Sequence, residues 1–141
     1  MAIESPLISN SSVFEMFQSF VGKKPNEYFL IDEVNGSYTW SQALERARSI
    51  AGSLQVMLGA SGKRVSILSD NSADWILTDL GIMISGHVSA PLFTSMSADK
   101  FEYALTFLDV EVLFLGPAAN WEAVKHKVPP GVTIVALPNL D

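Results

Sequence analysis

From Arg64 onward the chain alternates short β-rich runs with runs patterned as helices, and this alternation restricts the fold more than any other feature. The predicted strands are 65–68, 87–92, 110–115 and 132–136. The predicted helices between them span about 72–85, 97–108 and 121–127. Strands separated by helices in this way predict an α/β fold, with a doubly wound, mostly parallel sheet flanked by helices.

A helix and a β-hairpin are predicted ahead of this unit. Apolar residues recur at helical spacing over 13–20, and Gly22 is placed to end that helix. The run 28–31 has the composition of a strand, and Asn35-Gly36 is a strong hairpin signal before a return strand at Ser37-Tyr38. The expected lead-in is therefore one helix followed by two antiparallel strands.

Capping residues mark the helix boundaries. Thr39 followed by Gln42 forms a capping box, and Gly59 is placed to close the helix that begins there. We expect about 1–40 to form the lead-in and about 41–141 to form the α/β unit. Three further helices have candidate N-caps, which are Asn71 or Ser72, Ser97, and Asn120. Three predicted helices each begin with a tryptophan next to a polar cap. We expect these side chains to act as packing anchors; they are Trp40, Trp75 and Trp121.

Charge and cysteine content exclude several functions. The net charge is −6, and the nine Lys and Arg residues form no cluster, so nucleic-acid binding is not expected. There is no cysteine, which excludes disulfides, thiolate zinc sites and cysteine catalysis and fits a cytoplasmic protein. Residues 1–12 lack the basic start of a signal peptide.

The apolar content is high, at 48% with a mean hydropathy of +0.27. Strands buried on both faces account for part of it, and a surface that meets more polypeptide or a second copy accounts for the rest. A homodimer through exposed apolar surface is therefore expected. The apolar stretch 75–93 is interrupted by Asp79, Gly86, His87 and Pro91, so it predicts a buried helix, a turn and a strand and not a transmembrane segment.

No local motif identifies a catalytic, cofactor-binding or metal-binding residue. Gly62-Lys63 lacks the rest of a phosphate loop, and His87 and His126 have no second ligand at metal spacing. Two loops follow predicted strands, where doubly wound sheets bind ligands: Asp70-Asn71-Ser72 and 93–97. Helix capping and loop polarity explain both, so the predicted site residues are none for all three classes.

Four segments between Tyr38 and Leu115 share order and spacing with one family. Their sequences are TWSQAL at 39–44, RVSILSDNSADW at 64–75, GHVSAPL at 86–92 and SAD at 97–99. They resemble the T-Y-x-E-L, R-V-A-I-L-x-x-N-S-x-E-W, G-A-V-x-x-P-L and L-S-A-E patterns in the N-terminal portion of the adenylate-forming, or AMP-binding, superfamily. Within it, the tail is most similar to long-chain fatty acid–CoA ligases (acyl-CoA synthetases), through residues 113–116, 120–122 and 128–131.

The resemblance implies ATP-dependent activation of a carboxylate to an acyl-adenylate, transfer of the acyl group to coenzyme A, and assistance by magnesium. It also implies that the phosphate loop, the nucleotide contacts and the catalytic lysine lie beyond the residues present. ATP, Mg and CoA are then expected to bind the full-length enzyme and not this chain. The expected partner is the remainder of the parent polypeptide, and this chain alone is expected to be inactive.

Two alternatives stay open from the sequence. One is a non-catalytic α/β module that binds a ligand or dimerises, which the high apolar content favours. The other keeps the superfamily but changes the substrate to an aryl acid or an amino acid. The resemblance places most of the acyl pocket downstream, so these residues do not distinguish the acids.

Overall fold

The computed structural model describes residues 12–59 and 62–141. Five helices and six strands follow one another along them, with a short 3₁₀ turn, Lys125–Lys127, after the fifth helix. The helices are α1 Val13–Lys23, α2 Trp40–Leu58, α3 Ala73–Ile84, α4 Ala98–Phe107 and α5 Trp121–Val124. The strands are β1 Tyr28–Leu30, β2 Tyr38–Thr39, β3 Arg64–Leu68, β4 Val88–Leu92, β5 Val110–Leu115 and β6 Thr133–Ala136.

Four strands form one parallel sheet in the order β4-β3-β5-β6. The chain leaves β3 toward β4 through α3, then returns across β3 to β5 through α4. Right-handed crossovers in opposite directions must place their helices on opposite faces of the sheet. The predicted α/β fold with a doubly wound parallel sheet is therefore confirmed.

Alternation along the central strands divides the core between the two faces. Val65 and Ile67 of β3 pack with Val112 of β5 under α2 and α3. Leu68 and Leu113 point to the other face, where they pack against α4 and α5. Because both faces of β3 and β5 are covered, their near-continuous apolar sequence is explained by burial on two sides.

Helices α2 and α3 pack closely because Gly81 has no side chain. A Cβ built at Gly81 would lie 2.6 Å from Cγ2 of Ile50 and 3.0 Å from the carbonyl oxygen of Ala47. Nothing larger than glycine fits this crossing without displacing α2. The contact holds α3 against α2 and therefore helps to position the loop that precedes α3.

The lead-in helix and hairpin pack on α2 through aromatic side chains. The ring of Trp40 stacks on Phe20 at 5.2 Å and lies 4.3 Å from the ring of Phe29, while Phe17 contacts both Phe29 and Trp40. Thr39 accepts from the N–H of Gln42, and the Gln42 side chain accepts from the N–H of Thr39, as the predicted capping box requires. The predicted role of Trp40 as a packing anchor is confirmed.

Several local predictions are wrong in detail. Gly22 lies inside α1, which continues to Lys23 and closes with the N–H of Lys24 donating to the carbonyl of Phe20. Strand β4 begins at Val88 and not at His87. Ser97 occupies the predicted N-cap position of α4, but its side chain makes no capping hydrogen bond.

The hairpin forms with a wider loop than the Asn-Gly signal predicts. The strands pair at Tyr28 with Thr39 and at Leu30 with Tyr38, so residues 31–37 form the connection.

Asn120 also differs from its predicted capping role, because its side-chain amide donates to the carbonyl of Met96. At Asn120 a side-chain hydrogen bond to a distant residue therefore replaces the expected local one. The signal-peptide prediction falls mainly on residues 1–11, outside the described residues.

A candidate ligand cleft between the ends of β3 and β4

The gap between the carboxyl ends of β3 and β5, where a doubly wound sheet most often binds ligands, is closed by the chain itself. The N–H of Asp70 donates to the carbonyl of Pro117 at 2.6 Å, and the N–H of Gly116 donates to that of Leu68 at 3.0 Å. A Cβ at Gly116 would collide with the side chain of Ser69. This close contact leaves no crevice between the two strands.

A cleft of about 370 Å³ lies instead between the carboxyl ends of β3 and β4. It brings together the two loops that the sequence places after strands. The lining residues are Ser69, Asp70, Asn71, Trp75, Pro91, Leu92, Phe93 and Thr94. Ser72 and residues 95–97, which belong to the same loops in the sequence, do not line it.

The turn that forms one wall of the cleft is held from two directions. At the start of α3, the hydroxyl of Ser72 accepts from the N–H of Trp75 at 3.1 Å, which confirms Ser72 as the N-cap. From the hairpin loop, Oδ2 of Asp32 accepts from the N–H of Ala73 at 3.0 Å. The start of α3 is therefore stabilised both by its own N-cap, Ser72, and by Asp32, which is far away in sequence.

Asp32 is the residue beside the cleft that sequence reasoning missed. Its Oδ1 also accepts from the N–H groups of Val34 and Asn35, so one carboxylate organises the hairpin loop and docks it on α3. These hydrogen bonds, the one from Ala73 first, hold the pKa of Asp32 well below its ordinary value of 3.8. An aspartate before a turn suggests the local bonds, but no sequence signal shows the bond to Ala73.

The chemistry of the cleft favours a ligand that is not an anion. Its lining contains one carboxylate, Asp70, together with hydroxyl and amide groups and the aromatic rings of Trp75 and Phe93. No lysine, arginine or histidine lines it. Phosphate groups require positive charge or several converging N–H donors, so this lining does not fit a nucleotide triphosphate with its magnesium ion.

The two histidines that the sequence singles out, and the carboxylate of Asp74, lie away from the cleft. His87 lies at the opposite end of β4, is only 5% exposed, and accepts the N–H of Lys63 on Nδ1 at 3.2 Å. His126 is exposed in the 3₁₀ turn. Asp74 is 7% exposed and lines a separate groove beside α2, where burial raises its pKa against the opposing charge of Arg46.

Residues 12–59 and 62–141 contain no group of three or more His, Cys, Asp or Glu side chains placed to bind a metal ion. In the same residues, no helix combines the length and the apolar character needed to cross a membrane.

Comparison with known proteins identifies the family. The model of the AMP-binding enzyme family matches residues 17–139. The chain belongs to this family. A relative from Dictyostelium discoideum, named fatty acyl-CoA synthetase A, is 34% identical over 116 residues, which cover 79% of this chain and 17% of that protein. The chain therefore spans about a sixth of the length of this curated relative.

Solved structures agree on the fold. The N-terminal domain of FACL13 from Mycobacterium tuberculosis superposes with a TM-score of 0.78 at 21% identity, over 89% of this chain and 34% of that one. The anthranilate CoA ligase AuaEII superposes with a TM-score of 0.77 at 20% identity, over 90% of this chain and 25% of that one. The family match confirms the resemblance to adenylate-forming enzymes, and the fold matches the N-terminal domain of FACL13. Long-chain fatty acyl–CoA ligases recur among the curated relatives.

Proposed function

We propose that this chain supplies the first part of the adenylate-forming module of an AMP-forming fatty acyl–CoA ligase and is not catalytic by itself. The observation that supports the substrate class most directly is the 34% identity to a protein named fatty acyl-CoA synthetase A. In the proposed full-length enzyme, the fatty acid carboxylate would attack the α-phosphate of ATP, which would give an acyl-adenylate and release pyrophosphate, and magnesium would offset the charge of the phosphates. Coenzyme A then accepts the acyl group, and AMP leaves.

The role proposed for the residues present is structural. The parallel sheet and its two helical layers form a rigid platform, and Asp32 and Ser72 fix the turn at one wall of the cleft. Trp75 and Phe93 give that cleft an apolar side suited to an uncharged group. We assign residues 1–141 to part of the N-terminal large domain, with about 1–40 as lead-in and about 41–141 as the α/β unit.

The lining of the cleft supports the proposal that chemistry needs other residues. Asp70 is its one charged group, and a carboxylate repels the phosphates that adenylation must stabilise. We therefore assign the ATP, magnesium and CoA sites of the full-length enzyme to the part of the relatives that this chain does not match. A cytoplasmic location remains part of the proposal, supported by the absence of cysteine.

Activity of the isolated chain is tested by ATP–pyrophosphate exchange. The purified 141-residue protein should show no exchange with lauric, palmitic or oleic acid, because no cationic side chain lines its cleft. A full-length fatty acyl–CoA ligase assayed in parallel provides the positive control. Exchange that remains after rigorous purification would contradict the proposal that the chain is not catalytic.

A chimaera tests the scaffold role. The segment of the Dictyostelium relative that matches this chain is replaced by this chain, and acyl–CoA formation is measured with palmitate, benzoate and anthranilate. Palmitate-dependent activity should be retained, and the relative with its own segment reinserted serves as the matched control. A folded but inactive chimaera counts against the scaffold role.

A further inference from the structure

The hairpin loop, residues 31–37, contains the one asparagine of the chain that is followed by a glycine, Asn35-Gly36. Both residues are exposed, and beyond its chain neighbours nothing lies within 4 Å of a Cβ built at Gly36. The side-chain amide of an asparagine can react with the backbone nitrogen of the next residue, and a glycine there has no side chain to block the approach. The dipeptide that marks the hairpin is therefore also a reactive one.

The geometry of the loop requires both residues of this dipeptide. Gly36 has a φ of +104°, which a residue with a Cβ adopts only under strain. The backbone N–H of Asn35 donates to Oδ1 of Asp32 at 2.9 Å, and its side-chain Nδ2 donates to Oδ2 at 3.1 Å. The loop thus needs a side-chain donor at position 35 and a positive φ directly after it, and the reactive sequence meets both needs.

One carboxylate oxygen connects Asn35 to α3. Oδ2 of Asp32 accepts from Nδ2 of Asn35 and also from the N–H of Ala73, at 3.0 Å. An amide at position 35 suits this arrangement because it offers N–H donors, whereas an ionised carboxylate there has acceptors alone. Two ionised carboxylates at hydrogen-bond distance repel each other. Conversion of the amide to an acid would therefore weaken the contact that docks the loop on α3.

We propose that Asn35 is a deamidation site and that its product releases the hairpin loop from α3. The backbone nitrogen of Gly36 gives up its proton to the solvent and forms a bond to Cγ of Asn35. The bond from Cγ to Nδ2 breaks, and ammonia leaves with a proton taken from the solvent. Water then opens the five-membered succinimide ring at either carbonyl, which leaves aspartate or isoaspartate at position 35. Water is the one co-reactant, and nothing is oxidised or reduced.

The folded loop also restrains this reaction. The N–H of Gly36 donates to the carbonyl of Asp32 at 3.0 Å, so the attacking nitrogen is engaged in a hydrogen bond. The side chain of Asn35 is held toward Asp32 by its own hydrogen bond. The reaction therefore requires the loop to open locally, and the bonds that Asp32 accepts oppose that opening.

The product changes how the start of α3 is held. Ser72 still caps the helix, because its hydroxyl accepts from the N–H of Trp75. The N–H of Ala73 loses its acceptor when the carboxylate of Asp32 turns away from the new charge. The turn that forms one wall of the cleft is then held from one direction and not from two.

Peptide mapping by mass spectrometry, on the whole purified chain kept in mildly alkaline buffer, measures the modification. We expect Asn35 to be converted several times faster than Asn26, an exposed asparagine that is followed by glutamate. Isoaspartate should appear among the products, as the succinimide route requires. The Asp32→Ala variant should react several times faster still, because its loop opens more readily.

Hydrogen exchange at the N–H of Ala73 measures the release of the loop. Exchange should be faster in Asn35→Asp, which reproduces the aspartate product, and in the aged wild-type chain. Asn26→Asp is the matched control, since it adds the same charge at another exposed position and should leave this exchange unchanged. Asn35→Ala removes the side-chain hydrogen bond without adding charge, so its effect should be smaller than that of Asn35→Asp.

Two outcomes would overturn the proposal. Asn35 that stays intact while asparagines without a following glycine react would show that it is not the site. Exchange at Ala73 that is the same in Asn35→Asp as in the wild-type chain would show that the product does not release the loop. Neither measurement involves a substrate or a nucleotide, so the modification and the proposed ligase role can fail independently of each other.

Discussion

The two edge strands of the parallel sheet, β4 and β6, are of the same kind but differ in the residues at their outward-facing positions. On β4, the N–H of Val88 donates toward β3, so the outward positions are Ser89 and Pro91, and proline has no N–H to offer. The hydroxyl of Ser89 is also bonded to Asp79 of α3 at 2.5 Å.

On β6, the N–H of Leu137 donates to the carbonyl of Leu115 on β5, and the alternation of the backbone turns Ile134 and Ala136 outward. Both outward positions keep their N–H groups. Residue choice at two positions, and not the topology, decides which edge is closed.

The largest expected effect comes from a proline placed at an inward position of β6. Val135 faces β5 by the same alternation that turns Ala136 outward, so Val135→Pro should remove a ladder hydrogen bond and lower the free energy of unfolding by about 2–4 kcal/mol. Ala136→Pro should lower it by less than about 1 kcal/mol. Urea unfolding followed by circular dichroism measures both. Equal losses from the two variants would show that the backbone directions are assigned incorrectly.

The β4 half of the sheet depends on the close packing of α3 against α2. Gly81→Ala should destabilise the protein by about 1–3 kcal/mol, because the new methyl group overlaps the side chain of Ile50. Gly52→Ala on α2 is the matched control, since nothing lies within 4 Å of its Cβ position. That control should stabilise by about 0.4–1 kcal/mol. If Gly81→Ala stabilised the protein and Gly52→Ala destabilised it, the packing described for α2 and α3 would be contradicted.

The next effect concerns the docking of the hairpin loop on α3, beside the cleft at the end of β4. Asp32→Ala should lower the melting temperature by several degrees, because it removes the acceptor for the N–H groups of Ala73, Val34 and Asn35. Glu33→Ala, at the exposed neighbouring position, should change it little. Differential scanning calorimetry measures the shift.

The Asp32 contribution should also depend on pH. The folded state lowers the pKa of Asp32, so the stability it provides is fully present above the ordinary value of 3.8. It is lost as the pH falls from that value toward the lowered pKa. The difference between the wild-type protein and Asp32→Ala should therefore shrink below about pH 4. A difference that stays constant down to pH 2 would mean that the charge of Asp32 is not what docks the loop.

The smallest expected change in stability comes from Pro91→Ala, which opens the β4 edge. The variant should lose about 0.4–1 kcal/mol, because the unfolded chain gains conformational freedom. It should also self-associate more strongly than the wild-type protein, since β4 then presents two outward N–H groups as β6 does. Sedimentation equilibrium at matched concentrations checks this. Unchanged association would show that Pro91 does not protect the edge.

Much of the local structure was predictable because its causes lie within a few residues. The bounds of strand β5 are those that its apolar run predicts. Strands β3 and β6 differ from the prediction by one residue at their starts. The capping box at Thr39 and Gln42 and the closing role of Gly59 also depend only on neighbouring residues. The error at Asn120 occurred because a distant partner competed with the local one, since its side chain reaches Met96.

The cleft was predictable only in part. Its two loops were identified as carboxyl-end loops, since any parallel strand ends at the same edge of the sheet. That they would meet each other depends on β3 and β4 being neighbours, which the sequence does not state. The closure of the gap between β3 and β5 by Gly116 and Ser69 depends in the same way on strand order.

The sequence by itself determined the succession of helices and strands, their caps and the two-sided burial of the central strands, because hydrophobic period and capping act over one or two turns of chain. It also carried the resemblance to the adenylate-forming family. Only the tertiary structure decided the order β4-β3-β5-β6, the docking of Asp32 on α3 and the exposure of β6. Those features are contacts between residues far apart in the chain, and their free energy is gained only when the elements have packed.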